Sequence, residues 1–171
     1  MTILQVRTIP DPVLREKAKE VKSIDKETVT FMEDMLETMY ANSGIGLAAN
    51  QVGILKRIVV IDVSETRDGT EALFMVNPEI VWSSEKTFKY CEGCLSLPDQ
   101  RADVIRPQSI RVQYLDKQGK SQELEAEDLL SQCIQHEVDH LNGVLFIDHL
   151  SKLKRDMIER KLEKAKRCQV F

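Results

Sequence analysis

His136-Glu137-Val138-Asp139-His140 is the stretch on which the reading of this chain turns. On a helix, residues four apart project from one face, so both imidazoles can reach one metal ion. Glu137, one position on, then lies close enough to act on a water at that ion. The flanking residues favour a helix: Leu129 to Leu141 keeps a helical apolar period, Asp128 stands near its start, and Gly143 is a stop at its end. Two ordinary histidines on a surface helix would give the same five letters, so the rest of the chain must supply the context.

Upstream, Arg57 to Val63, Leu73 to Val76 and Ser109 to Tyr114 are rich in Val and Ile and read as strands. Asp116 to Gly119 is a turn before a further strand over Glu123 to Ala126, which predicts a hairpin. Downstream, Val144 to Ile147 reads as one more short strand. Ser151 then caps an amphipathic terminal helix over 151–168, built on Leu153, Met157, Ile158, Leu162 and Ala165. Near the start, Asp11-Pro12 opens a helical stretch to about Lys19. Asp25 caps a longer helix on which Val29, Met32, Met35, Leu36, Met39 and Tyr40 form a core stripe. The sum is an α+β plan: short antiparallel strands around a central metal-binding helix, with a C-terminal amphipathic helix. A chain of 171 residues is one domain's worth, so 1–171 is read as a single catalytic domain.

Composition sets the outer limits. A hydrophobic share of 42% with 30% charged residues excludes disordered, collagen-like and membrane classes. The longest apolar runs, Ile58 to Ile61 and Val144 to Ile147, fall far short of a membrane span. The N-terminal residues lack a basic stretch followed by an apolar run, so a cytoplasmic location is expected. From Ser151 onward eight Lys or Arg face three acids, a balance of +5 within a net charge of −4. A globally basic, specific DNA binder is therefore not expected, and the tail alone suits a polyanion. Cys91, Cys94, Cys133 and Cys168 read as reduced thiols with metal or catalytic uses before disulfides.

A catalytic site with two histidines needs a third protein ligand. The metzincin continuation would put a Gly three residues after His140 and a His three beyond that. Gly143 fits, but Phe146 cannot bind metal, and His149 and Glu159 fall off that register. A thiolate from Glu92-Gly93-Cys94-Leu95-Ser96 would complete a His2Cys site. Cys91 and Cys94 together would instead make a closed Cys2His2 structural site, which a domain of this size does not need in order to fold. A zincin-like peptidase and a zinc-stabilised interaction module stay open at this point.

Three ordered segments carry a family resemblance. Gly44-Ile45-Gly46-Leu47-Ala48-Ala49-Asn50-Gln51, Glu92-Gly93-Cys94-Leu95-Ser96 and Gln135-His136-Glu137-Val138-Asp139-His140-Leu141-Asn142-Gly143 together resemble the motifs of peptide deformylases. The likeness spans nearly the whole chain, including the terminal helix found in Gram-negative-type members. It implies removal of the N-formyl group from the initiator methionine of nascent polypeptides. Carried over by position, it makes Cys94, His136 and His140 the metal ligands and Glu137 the general base and acid. Gln51, through its side chain, and Leu95, through its backbone N–H, become the oxyanion hole. The cofactor implied is one divalent ion, Fe2+ in the cell, with Zn2+, Ni2+ or Co2+ able to take its place.

The same likeness implies N-formylmethionyl nascent peptides as partners, and ribosome contact through the basic C-terminal helix. Gly44, Ile45 and Gly46 would lie against the substrate. Leu129 and Cys133, on the helical face of His136 and His140, would line the methionine pocket opposite Ile45, with Gln132 and Tyr90 at its rim. Glu92 and Arg106 stand where the family has a supporting ion pair. Asn50, Tyr90, Cys91 and Gln132 depart from the family's usual residues, which leaves the reaction in place and puts the pocket's shape in question.

Overall fold

The computed structural model describes residues 1–168; positions 169–171 of the expected domain lie outside it. In chain order the elements are α1 (Lys26–Ala41), β1 (Gly46–Ala48), β2 (Ile58–Ile61), β3 (Leu73–Ser83), β4 (Thr87–Cys94), β5 (Leu97–Pro107), β6 (Ser109–Leu115), β7 (Ser121–Glu127), α2 (Asp128–Leu141) and α3 (Lys152–Cys168). Strands β1, β2, β3, β6 and β7 form one antiparallel sheet in the order β1-β2-β3-β6-β7, while β4 and β5 form a separate hairpin.

The run Ile58-Val59-Val60-Ile61 explains the layering. A strand sends alternate side chains to opposite faces, and all four of these are fully buried, so both faces of the sheet are covered. Ile58 and Val60 pack with Met32, Met35, Leu36 and Met39 of α1. Val59 and Ile61 pack with Cys133, Ile134, Val138 and Leu141 of α2. The catalytic-looking helix is thus the middle of a core. Asp25 caps α1 as expected, its carboxylate accepting from the Thr28 N–H at 2.8 Å.

The β4–β5 hairpin is the main element missing from the sequence reading. Its residues alternate: Glu92, Val104 and Arg106 are buried on the face turned towards α2, whereas Cys91, Asp103 and Ile105 are exposed on the other. Leu97, opposite Cys94 at its turn, and Val104 further along β5 join Leu145, Phe146 and Ile147 and the buried Ile158 and Leu162 of α3 in a third apolar cluster.

Three local expectations need correction. The early helical stretch is only a 3-10 turn, Pro12–Arg15; beyond it the chain runs extended, with Ala18 N–H bonded to Leu141 O at 2.8 Å and Lys19 N–H to Leu55 O at 2.9 Å. Val144 to Ile147 is not a strand. Phe146–His149 forms a 3-10 turn instead, because Phe146 and Ile147 are drawn by their side chains into the third cluster and their backbone pairs with no strand among the described residues. On α3, Ser151 caps as expected, its Oγ accepting from Lys154 N–H at 3.3 Å. Only Ile158 and Leu162 of the expected stripe are buried, while Leu153 is 72% exposed and Ala165 is exposed too. The hairpin over Ser109 to Ala126 forms with its turn at Asp116 to Gly119.

Candidate metal centre

Helix α2 delivers His136 and His140 from one face, and the turn between β4 and β5 delivers Cys94 opposite them. One donor atom from each lies within 4.8 Å of the others, the one such cluster among the described residues. Cys94 Sγ is 3.2 Å from His140 Nε2, near the roughly 3.5 Å edge of a tetrahedral zinc site built from ordinary Zn–S and Zn–N bonds. Cys91 is not in the cluster; it sits on the exposed face of the hairpin, which removes the closed Cys2His2 arrangement.

Buried charges hold the histidines in place. Glu92 Oε2 lies 2.9 Å from His136 Nδ1, so the other ring nitrogen is left for a metal. Glu92 is in turn gripped by Arg106, with Nε to Oε1 at 2.5 Å and Nη2 to Oε2 at 3.0 Å, and Arg106 Nη1 reaches Asp139 at 2.9 Å. Although burial alone would raise it, the hydrogen bonds from His136 and Arg106 hold the Glu92 carboxyl down at about 2. Phe146, where a metzincin would place a third histidine, stacks on His136 with ring centroids 6.1 Å apart. Asn50, which the sequence marked only as a departure, donates from Nδ2 to the His140 carbonyl and ties the segment after β1 to the end of α2.

The site's electrostatics suit a cation. Burial would lower the His136 imidazole, yet its hydrogen bonds to Cys94 and Glu92 and the negative charges of Cys94 and Glu137 raise it well above its ordinary value. His140, by contrast, is pushed well below its ordinary value by burial and by the neighbouring His136, which favours the neutral ring a metal requires. Glu137 is 4% exposed, and burial pushes its carboxyl up to about 7. Its Oε2 has no hydrogen-bond partner among the described residues. An unpartnered buried carboxylate oxygen beside three soft and borderline donors fits a divalent ion and a water.

A cavity of about 700 Å³ opens on this centre. Gly44, Ile45, Gly46, Gln51, Cys94, Leu95, Leu129, Cys133, His136 and Glu137 all line it, so the sequence-derived residues converge on one cleft; His140 lies behind the wall, 1% exposed. Gly46 has no room for a side chain: a Cβ there would stand 2.5 Å from Glu137 Oε1 and 2.8 Å from Cys133 Sγ. Gln51 is fixed by its Oε1, which accepts from Ala48 N–H at 2.9 Å, and its Nε2 points at Ser96 Oγ (3.2 Å) and Cys94 Sγ (3.5 Å). Gln132 does line the cleft. Tyr90 does not: it pairs with Val104, further from the turn than Cys91 to Leu95, which line the cleft, and its hydroxyl is buried with no hydrogen-bond partner among the described residues.

Behind the Gly44–Gly46 segment lies a brace that no motif announces. Arg67 donates from Nη2 to the Gly44 carbonyl, and Asp62 N–H bonds to Ile45 O at 2.9 Å. Asp62 also accepts from the Tyr40 hydroxyl.

Comparison with known proteins agrees with this geometry. The polypeptide deformylase family model matches residues 3–156. The chain belongs to the polypeptide deformylase family. A peptide deformylase of Rhizobium meliloti is 53% identical over 165 residues, covering 96% of this chain and 95% of its own. A crystal structure of a Legionella pneumophila peptide deformylase superposes with a TM-score of 0.92 at 45% identity, over 99% of this chain and 98% of that one. That of Ehrlichia chaffeensis in complex with actinonin gives 0.92 at 44%, over 98% and 99%. The chain is therefore a metal-dependent hydrolase that removes the N-formyl group from nascent peptides. Neither a zincin-like peptidase nor a zinc-stabilised interaction module is favoured. No helix among the described residues is long and apolar enough to cross a membrane.

Proposed function

We propose that residues 1–171 act as one catalytic domain in which Cys94, His136 and His140 hold a single divalent ion and Glu137 moves the proton during hydrolysis of N-formylmethionyl chains. Such an ion, when bound, polarises a carbonyl and makes water acidic enough to react near neutral pH. Glu137 accepts a proton from the attacking water and passes it to the leaving amine nitrogen; the formyl C–N bond breaks, giving formate and a free N-terminus. Gln51 Nε2 and the Leu95 backbone N–H donate to the formyl oxygen as it gains charge. Gly44, Ile45 and Gly46 form the wall along which the peptide lies, and Leu129 and Cys133 receive the methionine side chain.

The observation that carries this reading is the unpartnered, buried Glu137 Oε2 beside the three-donor cluster. Formate release from formyl-Met-Ala-Ser, measured with elemental analysis of the same sample, tests it. One equivalent of metal with turnover is expected; metal without turnover defeats it. Formyl-Met peptides should exceed formyl-Ala peptides in kcat/KM by at least about 10-fold, the worth of burying one such side chain.

The resident ion we propose is Fe2+, since the thiolate and two imidazoles suit iron, zinc, nickel and cobalt alike and the family resemblance favours iron. Oxygen should then inactivate the native enzyme faster than a nickel-substituted one. The cytoplasm, where nascent chains emerge, is the compartment proposed. The Lys and Arg residues of α3, with Lys154, Arg160, Lys161 and Lys164 exposed, support a contact with ribosomal RNA or protein. Reversing those four charges should abolish salt-sensitive cosedimentation with ribosomes and spare turnover of a short peptide.

A further inference from the structure

Three glutamines stand near the centre, and two of them are committed. Gln51 is bonded as described. Gln135, pointing away from the cleft, donates from Nε2 to Pro107 O, Ser131 O and Ser131 Oγ at 3.0, 3.2 and 3.0 Å. Gln132 is different. It is half-buried, it lines the cleft, and its side-chain amide bonds to no other side chain or backbone group among the described residues.

Its place on α2 is fixed by helical spacing. Leu129, Gln132, Cys133 and His136 are related by steps of three and four, so they share one face, and that face looks into the cavity. Leu129 is apolar, and the Cys133 thiol turns towards the Ile45 carbonyl, 3.7 Å away, its ionisation suppressed by burial. With Glu137 reserved for the reacting water, Gln132 is thus a neutral hydrogen-bonding group, free of protein partners among the described residues, that α2 offers to a side chain seated between Leu129, Cys133 and Ile45. Its amide has two N–H donors and one acceptor oxygen.

A methionine thioether uses this amide poorly, because thioether sulfur is a weak acceptor. The oxidised side chain uses it well. Methionine sulfoxide has nearly the same shape, adds one strongly accepting oxygen, and is chiral at sulfur. In an all-apolar pocket that oxygen would be buried without a partner, at a cost that disfavours binding. Resting on the reading of this cleft as the formyl-methionine site, we propose that Gln132 makes the pocket accept N-formyl-methionine sulfoxide, so that chains with an oxidised first residue are also deformylated. The reaction at the amide is unchanged: water is consumed, the formyl C–N bond breaks, formate leaves, and the sulfoxide oxygen stays on the side chain.

The test compares kcat/KM for formyl-Met-Ala-Ser, formyl-Met(O)-Ala-Ser as separate sulfur epimers, and formyl-norleucyl-Ala-Ser. Wild type should hydrolyse its better sulfoxide epimer at no less than about a tenth of the thioether value, the size of one neutral hydrogen bond. Gln132→Leu should lower the sulfoxide-to-norleucine ratio by about 10-fold and erase the epimer preference. Gln132→Met, which keeps the side chain's length without its donors, should do the same and serves where the leucine variant folds poorly. Binding of the unformylated Met(O)-Ala-Ser and Met-Ala-Ser products to metal-free protein, by calorimetry, should follow the same order. Equal ratios in wild type and both variants, or a wild-type sulfoxide rate below about a hundredth of the thioether rate, would overturn the assignment to Gln132. Failure on formyl-Met-Ala-Ser itself would instead remove the underlying reading of the cleft.

Discussion

The cleft has two walls, and each contributes one buried carboxylate that the other wall does not resemble. Glu137, on helix α2, is 4% exposed and has an oxygen with no partner; Glu92, on the β4–β5 hairpin, is 2% exposed and is bonded by Arg106 and His136. Burial pushes the first up to about 7, while the second, despite equal burial, is held at about 2 by its partners. Depth alone therefore does not decide what a carboxylate can do. The one with fixed partners is held ionised beside a histidine, and the one without them fits the proton carrier proposed above.

The sharpest way to break this contrast is to neutralise each side chain. Glu137→Gln should lower kcat by about 10²- to 10⁴-fold, the usual worth of a positioned proton carrier, with bound metal unchanged by elemental analysis. If metal is lost with activity, the two walls do the same job. Glu92→Gln should act the other way. It leaves Arg106 without its buried partner, so unfolding stability should drop by about 3–5 kcal/mol in denaturant melts, and metal affinity should fall about 10- to 100-fold.

A smaller effect separates the walls by pH. In metal-free protein the raised Glu137 keeps a proton that the unfolded chain gives up above about 4.3. Its contribution to stability thus falls as pH rises from there through about 7. Glu137→Gln, which never ionises, should melt at increasingly higher temperature than wild type between pH 5 and 8, both metal-free; a constant gap would show that burial does not raise Glu137. Glu92, depressed by its partners, contributes stability above its unfolded value that is lost only as pH falls towards about 2, outside that window. Least affected of all should be Cys91→Ser, exposed at the cleft's edge and outside the donor cluster, with metal content and formate release both kept, whereas Cys94→Ser should lose or exchange the metal.

How much of each wall could be read from the residues follows the same division. On α2, His136, Glu137 and His140 are local: the spacing that makes the helix also puts them on one face, so the periodicity of Leu129 to Leu141 was enough to bring them together, though not to tell a site from two surface histidines. The hairpin was not visible. Thr87-Phe88-Lys89-Tyr90-Cys91-Glu92 and the Pro98 and charged residues of β5 lack an apolar alternation, because half of their buried face is Glu92 and Arg106. A polar pair satisfied only across two strands gives no hydrophobic signal. The brace of Arg67 and Asp62 on the Gly44–Gly46 backbone escaped for a related reason, since its bonds end on carbonyls and amides that every residue has. Val144 to Ile147 misled because an apolar run marks burial before it marks a strand.

The third apolar cluster sets where this chain tolerates being cut or extended. Ile158 and Leu162 of α3 are buried in one cluster with Val104 and with Leu97, the residue opposite Cys94 at the hairpin's turn. The last exposed turns, from Glu163 onward, carry no buried side chain among the described residues. An affinity tag or a fused carrier protein therefore belongs after residue 162. A deletion begun at Lys154 to test ribosome binding would unseat the hairpin's footing as well, and would register in a binding assay as lost charge when the cause was a loosened foundation.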